Sequence, residues 1–450
     1  MEQVKYLILF IFLFCRLVGA EEFFNKNLSF KRAHVGIYVA DVETKKEVFS
    51  CNAEQFFVPA SLQKIVTSAA AIDILGENFC FQTDLGYQGT IDEKGVLQGD
   101  IWIRGGGDPT LSLEIFSKWE EALKKEGIEK VEGKVLVDAS CFESAMASPH
   151  WHFEDLGNYY GAGASGLTIH KNAYTITFRP GKSEGTPATI EKIEPEVPQL
   201  LIQNEVTTGP AGSGDRVCIF GSEYSPLQFY RGTVPIDEPT FTVKGAIPDP
   251  ASFCAATLSR RLNTAQGYEI VKNIKGKKIS LHHTESLPLK EILQEMNHKS
   301  VNLYSEHLLK VIGKGQARKG TAEIAKFLKR FKIPAEVCDG SGLARTNYIT
   351  AKGFVDLLCQ IRNRSSYRAV YHSFPELGKE GTLNSFPAVS NALIRAKTGS
   401  MTHIYNIAGY LTLESGKEYA FCLLCNNYQG SLDEIKKEMH RFLTHLAKKL

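Results

Sequence analysis

The 450-residue chain lacks the features that mark several common classes of protein. It has no basic tract with interleaved aromatic residues, and its formal net charge is only +2, so we expect no nucleic-acid partner. After the first apolar run, no stretch is long enough to span a bilayer, which predicts at most peripheral membrane contact. No internal repeat and no low-complexity tail are present. A chain of this length predicts two or three domains, while its oligomeric state stays open.

Metal and phosphate motifs are also missing. No H-E-x-x-H occurs, and His150-Trp151-His152 and His282-His283 have no third ligand at metal spacing. The run Gly105-Gly106-Gly107-Asp108 is not followed by Gly-Lys-Ser/Thr, so it predicts a tight turn rather than a phosphate loop. We therefore predict no metal and no other cofactor.

The N-terminus has the pattern of a signal peptide. Lys5 precedes a short apolar run at residues 6–15, and Val18-Gly19-Ala20 offers a small-residue cleavage site. This predicts a signal peptide at residues 1–20 and an exported, periplasmic protein. Nine of the ten cysteines then remain, an odd number. Cys422 and Cys425 have redox spacing but lie in a strand-like apolar run, where residues three apart face opposite sides, so we interpret them as core residues.

The most informative stretch is residues 58–76, VPASLQKIVTSAAAIDILG. Its apolar residues repeat at helical spacing, and its remaining positions are mostly small, which predicts a helix buried nearly all round. Ser61 in the first turn and Lys64 three residues later do not fit a purely apolar helix. Residues three apart are neighbours on a helix, and a Lys held out of water has a depressed pKa. Such an amine can activate the serine as a nucleophile.

A purely structural interpretation of the same motif is an N-cap serine followed by a surface lysine. About one or two S-x-x-K matches are expected by chance in a chain of this length. The motif therefore needs support from the rest of the sequence.

The wider pattern predicts an α+β fold. Residues 33–51 read as a β-hairpin, and residues 83–278 as a mostly β insertion with one helix near 113–126. Helices are predicted at 289–296, 301–312, 321–331 and 351–362. Three strand-like runs and a helix at 432–450 close the chain, which suggests one antiparallel sheet built from the two ends.

Two further motifs follow the first in order. Ser300-Val301-Asn302 lies between predicted helices, and Lys397-Thr398-Gly399 lies on a predicted strand. Separately, Ser300 could cap a helix, and Lys397 could end a strand at a glycine kink. Together, the three motifs form the trio of β-lactamases and penicillin-binding proteins and indicate an active-serine enzyme.

The chain resembles the class C low-molecular-mass penicillin-binding proteins, the D-alanyl-D-alanine carboxypeptidase/endopeptidases of the DacB type. The resemblance spans nearly the whole mature chain and includes a long insertion between the first two motifs. One departure is Val301, where Asp is usual. Further shared segments are Pro59-Ala60-Ser61, Gly106-Gly107-Asp108-Pro109, Asp339-Gly340-Ser341-Gly342-Leu343-Ala344-Arg345 and Ala396-Lys397-Thr398-Gly399-Ser400.

The resemblance implies a penicillin-recognising transpeptidase/β-lactamase-like domain, an antiparallel sheet flanked by helices, at residues 21–83 and 286–450. It implies two mostly β inserted domains, at 84–172 with 236–285 and at 173–235. The implied activity is a serine-type D-Ala-D-Ala carboxypeptidase that acts on peptidoglycan stem peptides or on D-Ala–diaminopimelate cross-links. The family's inhibitors are β-lactams.

The resemblance also assigns catalytic roles. Ser61 is the nucleophile and Lys64 its general base. Ser300 passes the proton to the leaving amine with Lys397 close by, and Asn302 holds Lys64 and the substrate amide.

Five residues are implied to bind substrate. Thr398, Gly399 and Ser400 face the terminal carboxylate. Arg345 anchors stem-peptide carboxylates or is a surface arginine, and Asp155 binds the diaminopimelate amino group or only caps loop backbone.

Two rival functions remain open. The same trio serves β-lactamases and esterases, although no Glu of this chain can be assigned as the base for fast deacylation. The protein could also be a penicillin-binding scaffold with weak catalysis.

Overall fold

The computed structural model describes residues 32–450, so the predicted signal peptide lies outside the described residues. The chain divides into two compact units. The first comprises the described residues up to Glu77, Leu293–Ser300 and Thr321–Leu450, and the second comprises Asn78–Ile292 and Val301–Gly320. The predicted boundaries between a peptidase domain and two inserted domains stay a prediction.

The strands are short to medium in length. In chain order they are β1 His34–Asp41, β2 Glu47–Cys51, β3 Phe56–Phe57, β4 Gln82–Ile91, β5 Val96–Arg104, β6 Lys130–Val131, β7 Val135–Asp138, β8 Ala173–Arg179, β9 Thr189–Glu194, β10 Leu201–Gly209, β11 Cys218–Phe220, β12 Leu227–Pro235, β13 Phe241–Ala246, β14 Tyr268–Ile270, β15 Ile279–Glu285, β16 Ala335–Glu336, β17 Tyr348–Thr350, β18 Ala392–Met401, β19 Ile404–Leu413 and β20 Glu418–Asn426.

The α-helices vary from one turn to five. They are α1 Gln63–Leu75, α2 Ile115–Lys125, α3 Pro250–Leu262, α4 Leu289–Lys299, α5 Asn302–Ile312, α6 Ala317–Arg330, α7 Ala351–Arg362, α8 Arg368–His372 and α9 Leu432–Lys449.

The first unit is built on an antiparallel sheet in the order β18-β19-β20-β1-β2. Strand β1 pairs with β20 along its whole length, which confirms the predicted sheet made from both ends of the chain. Helix α9 begins at a capping box, in which Ser431 and Glu434 each satisfy the other's backbone N–H. Its apolar face, including Phe442 and Leu443, shares a core with the sheet.

Helix α1 is as buried as its composition predicts. Residues 63–72 are all buried, because small side chains allow neighbouring segments to approach on every side. The helix ends at Gly76, which has a φ of +83° and provides the stop predicted from sequence. A short 3-10 turn, Ala60–Leu62, leads into it.

The second unit contains three sheets. A six-stranded mixed sheet runs β14-β7-β5-β4-β15 with β6 beside β5, and two three-stranded sheets run β13-β8-β9 and β10-β12-β11. Helix α3 falls in the stretch expected to be mostly β apart from one helix, so that prediction was wrong there. The helix has a clear start signal, because Pro250 occupies its first turn and the Asp249 side chain accepts from Ser252 N.

Other local predictions differ from the structure mainly at their ends. Helix α4 runs three residues further than the predicted 296, and α6 begins four residues before the predicted 321. Cys422 and Cys425 are both buried in β20, so their interpretation as core residues is confirmed.

Candidate active site

Ser61 sits in a tight turn between β3 and α1, here called the Ser61 turn (residues 58–62). Ala60 has a φ of +48°, in the left-handed region that residues with a Cβ rarely adopt. Leu62 N then donates to Pro59 O, which closes the turn. This backbone leaves Ser61 partly exposed, whereas Ala60 and Leu62 on either side are buried.

Two asparagines of the sheet hold the Ser61 turn in place. Asn406 on β19 donates to Val58 O and Pro59 O, both at 3.0 Å, and its side-chain oxygen accepts from Cys425 N. Asn426 on β20 accepts from Val58 N and donates to Val58 O. Sequence reasoning missed both residues, although a buried polar residue inside an apolar strand is a signal that could have found them.

Lys64, the second residue of α1, is fully buried. Its Nζ lies 3.0 Å from Ser61 Oγ and 2.7 Å from the carbonyl oxygen of Ser341. The amine is therefore within hydrogen-bond reach of the hydroxyl that it is predicted to activate.

Ser300 and Lys397 form a second hydroxyl–amine pair. Lys397 on β18 is fully buried, and its Nζ lies 3.0 Å from Ser300 Oγ and 2.7 Å from Thr398 O. Ser300 has a φ of +57° and is not the cap of α5, because Val301 holds that position. The alternative interpretation of Ser300 as a helix cap is therefore wrong.

The two buried amines affect each other. Burial, and then the positive charge of Lys64, lower the pKa of Lys397 well below its ordinary value. No carboxylate contact with Lys397 offsets this effect in the part of the chain that the structure describes. Protonation of one amine therefore disfavours protonation of the other.

Strand β18 passes directly beside the Ser61 turn. A Cβ on Gly399 would lie 2.5 Å from Pro59 O and 3.0 Å from Ser61 N, so only glycine allows this approach. Thr398 is buried and its hydroxyl donates to Thr382 Oγ1 at 2.7 Å, while Ser400 is exposed. Thr382 lies outside every motif and was missed by sequence reasoning.

Three predicted site residues remain. Arg345 is partly buried after the Asp339 motif, and among residues 32–450 no carboxylate forms an ion pair with it. Asn302 and Asp155 belong to the second unit. There the Asn302 amide donates to Tyr160 O at 2.8 Å, and burial and the Asp155 charge raise the pKa of the Tyr160 hydroxyl.

The described residues also bear on metal binding and on membrane insertion. Between residues 32 and 450, no three His, Cys, Asp or Glu side chains cluster as a metal site would require. Over the same range, the helices are each too short or too polar to cross a membrane.

An antiparallel sheet, a buried helix and two serine–lysine pairs, Ser61–Lys64 and Ser300–Lys397, define the class of penicillin-recognising serine enzymes. The chain belongs to the D-Ala-D-Ala carboxypeptidase 3 (S13) family, whose model matches residues 21–446. The predicted family, fold class and serine-type carboxypeptidase class are confirmed.

Named relatives cover most of the chain. It is 27% identical to a D-alanyl-D-alanine carboxypeptidase of Actinomadura sp. (strain R39) over 88% of this chain and 78% of that protein. It is 26% identical to D-alanyl-D-alanine carboxypeptidase DacB of Haemophilus influenzae over 90% and 88%. The crystal structure of penicillin binding protein 4 (dacB) from H. influenzae superposes with a TM-score of 0.80 at 24% identity, covering 93% of this chain and 96% of that one.

Proposed function

We propose that the protein is an exported serine D,D-peptidase that cleaves the D-Ala-D-Ala end of peptidoglycan stem peptides through an acyl-enzyme on Ser61. One observation carries the proposal: the buried Lys64 Nζ lies 3.0 Å from Ser61 Oγ. A serine becomes a strong nucleophile only when a base takes its proton, and Lys64 is the base within reach.

In the acylation step, Ser61 Oγ attacks the carbonyl carbon of the penultimate D-Ala and its proton passes to Lys64 Nζ. The tetrahedral intermediate then collapses, and the C–N bond to the terminal D-Ala breaks. The leaving nitrogen takes the proton of the Ser300 hydroxyl, and Ser300 regains a proton from the Lys64 ammonium, with Lys397 as the neighbouring amine 3.0 Å away. Water attacks the ester in the second half-reaction, which releases the shortened peptide and returns the proton to Ser61.

Strand β18 supplies the groups for the substrate. The hydroxyls of Thr398 and Ser400 and the backbone at Gly399 bind the terminal carboxylate. Backbone N–H groups of Ser61 and Ser400 form the oxyanion hole, where losing one donor typically lowers the rate by ~10²–10³-fold. Asn302 stays a proposed site residue through the order of the motifs alone.

We also propose that the enzyme cleaves D-Ala–diaminopimelate cross-links. Arg345 has no ion-pair partner among residues 32–450 and can therefore pair with a stem-peptide carboxylate. Asp155 is proposed to pair with the diaminopimelate amino group. Digesting purified peptidoglycan and separating the products tests both, because Arg345→Ala and Asp155→Ala should reduce dimer cleavage more than penicillin labelling.

Covalent labelling by a fluorescent penicillin tests the nucleophile and the base. Ser61→Ala should abolish the labelled band, and Lys64→Ala should give a folded protein that labels far more slowly. Persistent labelling of Ser61→Ala would identify a different nucleophile. The thermal unfolding midpoint of each variant serves as the control for folding.

The fate of the adduct separates the rival functions. A D,D-peptidase should keep a long-lived penicillin adduct and release D-Ala from a pentapeptide. Rapid turnover of penicillin would indicate a β-lactamase, and labelling without D-Ala release would indicate a scaffold. Export is tested by the mass of the mature protein, which should begin at residue 21.

A further inference from the structure

A buried carboxylate organises the loop at residues 339–344, here called the Asp339 loop. Asp339 is fully buried, and its Oδ1 accepts from Gly342 N at 2.8 Å and from Asn347 Nδ2 at 2.8 Å. Its Oδ2 accepts from Ala344 N at 2.7 Å and from Ser341 Oγ at 3.3 Å. Four donors thus converge on one side chain and fix the backbone around it.

The same loop contacts the helix that carries Ser61 and Lys64. Ser341 O accepts from Lys64 Nζ at 2.7 Å, and one turn further along α1 Thr67 Oγ1 donates to Gly340 O at 2.7 Å. Gly342 has a φ of +84°, and a Cβ there would lie 1.8 Å from Ala60 O. Three successive residues of the loop therefore meet three positions of the segment that leads into and forms α1.

We propose that Asp339 is a positioning residue for the general base, because it fixes the Ser341 carbonyl that holds the Lys64 amine. This inference rests on the proposed role of Lys64. A carbonyl oxygen only accepts hydrogen bonds, so the contact commits one N–H of Lys64 to Ser341. That commitment orients the rest of the amine, including its lone pair when it is neutral, toward Ser61.

A carboxylate suits this position better than an amide. Each of these four contacts is a donor to Asp339, so both oxygens act as acceptors. Asparagine has nearly the same shape but presents an NH₂ group to two of those donors. The loop must then move, and a shift of about 1 Å at a catalytic group is enough to lower a rate ~100-fold.

The test is the acylation rate constant of Asp339→Asn with a fluorescent penicillin, measured across pH. We expect the plateau of the acylation rate constant, reached at the higher pH values, to fall by ~10–100-fold. The acid limb should move to lower pH, because the carbonyl stabilises the protonated form of Lys64 and its loss lowers that pKa. A plateau within about threefold of the parent, with an unmoved acid limb, overturns the inference.

Leu443→Ala separates positioning from simple loss of stability. Leu443 is buried in the core shared by α9 and the sheet and lies outside the proposed catalytic groups. Its truncation should lower the unfolding temperature while leaving the acylation rate constant of the folded protein and its pH profile unchanged. A Leu443→Ala profile shifted like that of Asp339→Asn would assign the effect to destabilisation and overturn the inference.

A milder variant covers the case in which Asp339→Asn does not fold. Thr67→Val removes the hydrogen bond to Gly340 O and should lower acylation by ~3–10-fold, whereas an unchanged rate overturns the inference. Failure of the proposed function has a different signature. It would appear as Lys64→Ala labelling as fast as the parent, whereas failure of the inference alone leaves Lys64→Ala inert and the Asp339→Asn or Thr67→Val rate unchanged.

Discussion

The contact between β18 and the Ser61 turn makes Gly399→Ala a sharp test of how the nucleophile is held. An added Cβ would lie 2.5 Å from Pro59 O and 3.0 Å from both Ser61 N and Leu62 N. All three neighbours are backbone atoms, so no side chain can rotate away to make room. The strand or the turn must move instead.

The distances set the size of the effect. Ordinary contacts of a Cβ begin near 3.4 Å, so relieving the overlap with Pro59 O requires a displacement of about 0.9 Å. A shift of this size at a nucleophile lowers the rate by ~100-fold when the chemistry depends on near-attack geometry. Overpacking of this kind also lowers the free energy of unfolding by about 1–3 kcal/mol.

The assay is the second-order rate constant for acylation by a fluorescent penicillin, with the urea midpoint measured on the same samples. Leu443→Ala again controls for stability, because it destabilises the same sheet core away from the Ser61 turn. If Gly399→Ala were destabilised as expected yet acylated within about threefold of the parent, β18 would not position Ser61, and the reasoning would fail.

Three further predictions concern the coupling of the two buried lysines, the pH dependence of stability, and the contact of Asn406 with the Ser61 turn. Lys397→Gln removes the second buried amine, so protonation of Lys64 no longer competes with protonation of Lys397 and the acid limb of acylation should move to higher pH; an unmoved limb would argue against coupling of the two amines. Burial lowers the pKa of His307 to about 3, with the Lys310 charge adding to the effect and a hydrogen bond to a backbone carbonyl opposing it. Below about pH 6.5 the unfolded chain therefore binds a proton that the folded chain does not. The contribution of His307 to the free energy of unfolding should drop by about 2 kcal/mol between about pH 8 and about pH 5. The free energy of unfolding of His307→Asn, measured by urea titration across this pH range, should lack that part of the pH dependence. An equal change with pH in the parent and the variant would refute the prediction. Asn406→Ala removes one donor from Val58 O and one from Pro59 O, together with the acceptor of Cys425 N, so it should lower the free energy of unfolding by about 2–4 kcal/mol and slow acylation; labelling at the parent rate would show that Asn406 is not needed to hold the Ser61 turn.

Local patterns were enough to predict the elements that carry the three motifs. Helix α1 is recognisable because it is apolar on all sides, and β18 because its alternation leads into Lys397-Thr398-Gly399. The antiparallel sheet was predicted from strand-like runs at both ends of the chain. In the structure, β1 from one end pairs with β20 from the other. Helix α3 was missed because its start signal lay in a stretch dominated by glycine and turns.

The residues that support the site were harder to predict, because they act across large separations in sequence. Asn406 reaches Val58 and Pro59 from almost 350 positions away. Its only local signal is that a polar residue interrupts an apolar strand, which does not reveal the partner. Thr382 carries even less information, since a threonine in a loop is ordinary.

Both proposed catalytic hydroxyls depend on backbone that the sequence disfavours. Ala60, just before Ser61, and Ser300 itself adopt left-handed conformations, at φ values of +48° and +57°. Each such residue typically costs about 1–3 kcal/mol and persists only when its surroundings enforce it. Asn406 supplies that constraint for the first hydroxyl and Lys397 for the second. Because each strained turn is held by a buried polar contact from the same sheet, a change that loosens β18 or β19 should disturb nucleophile and proton relay together.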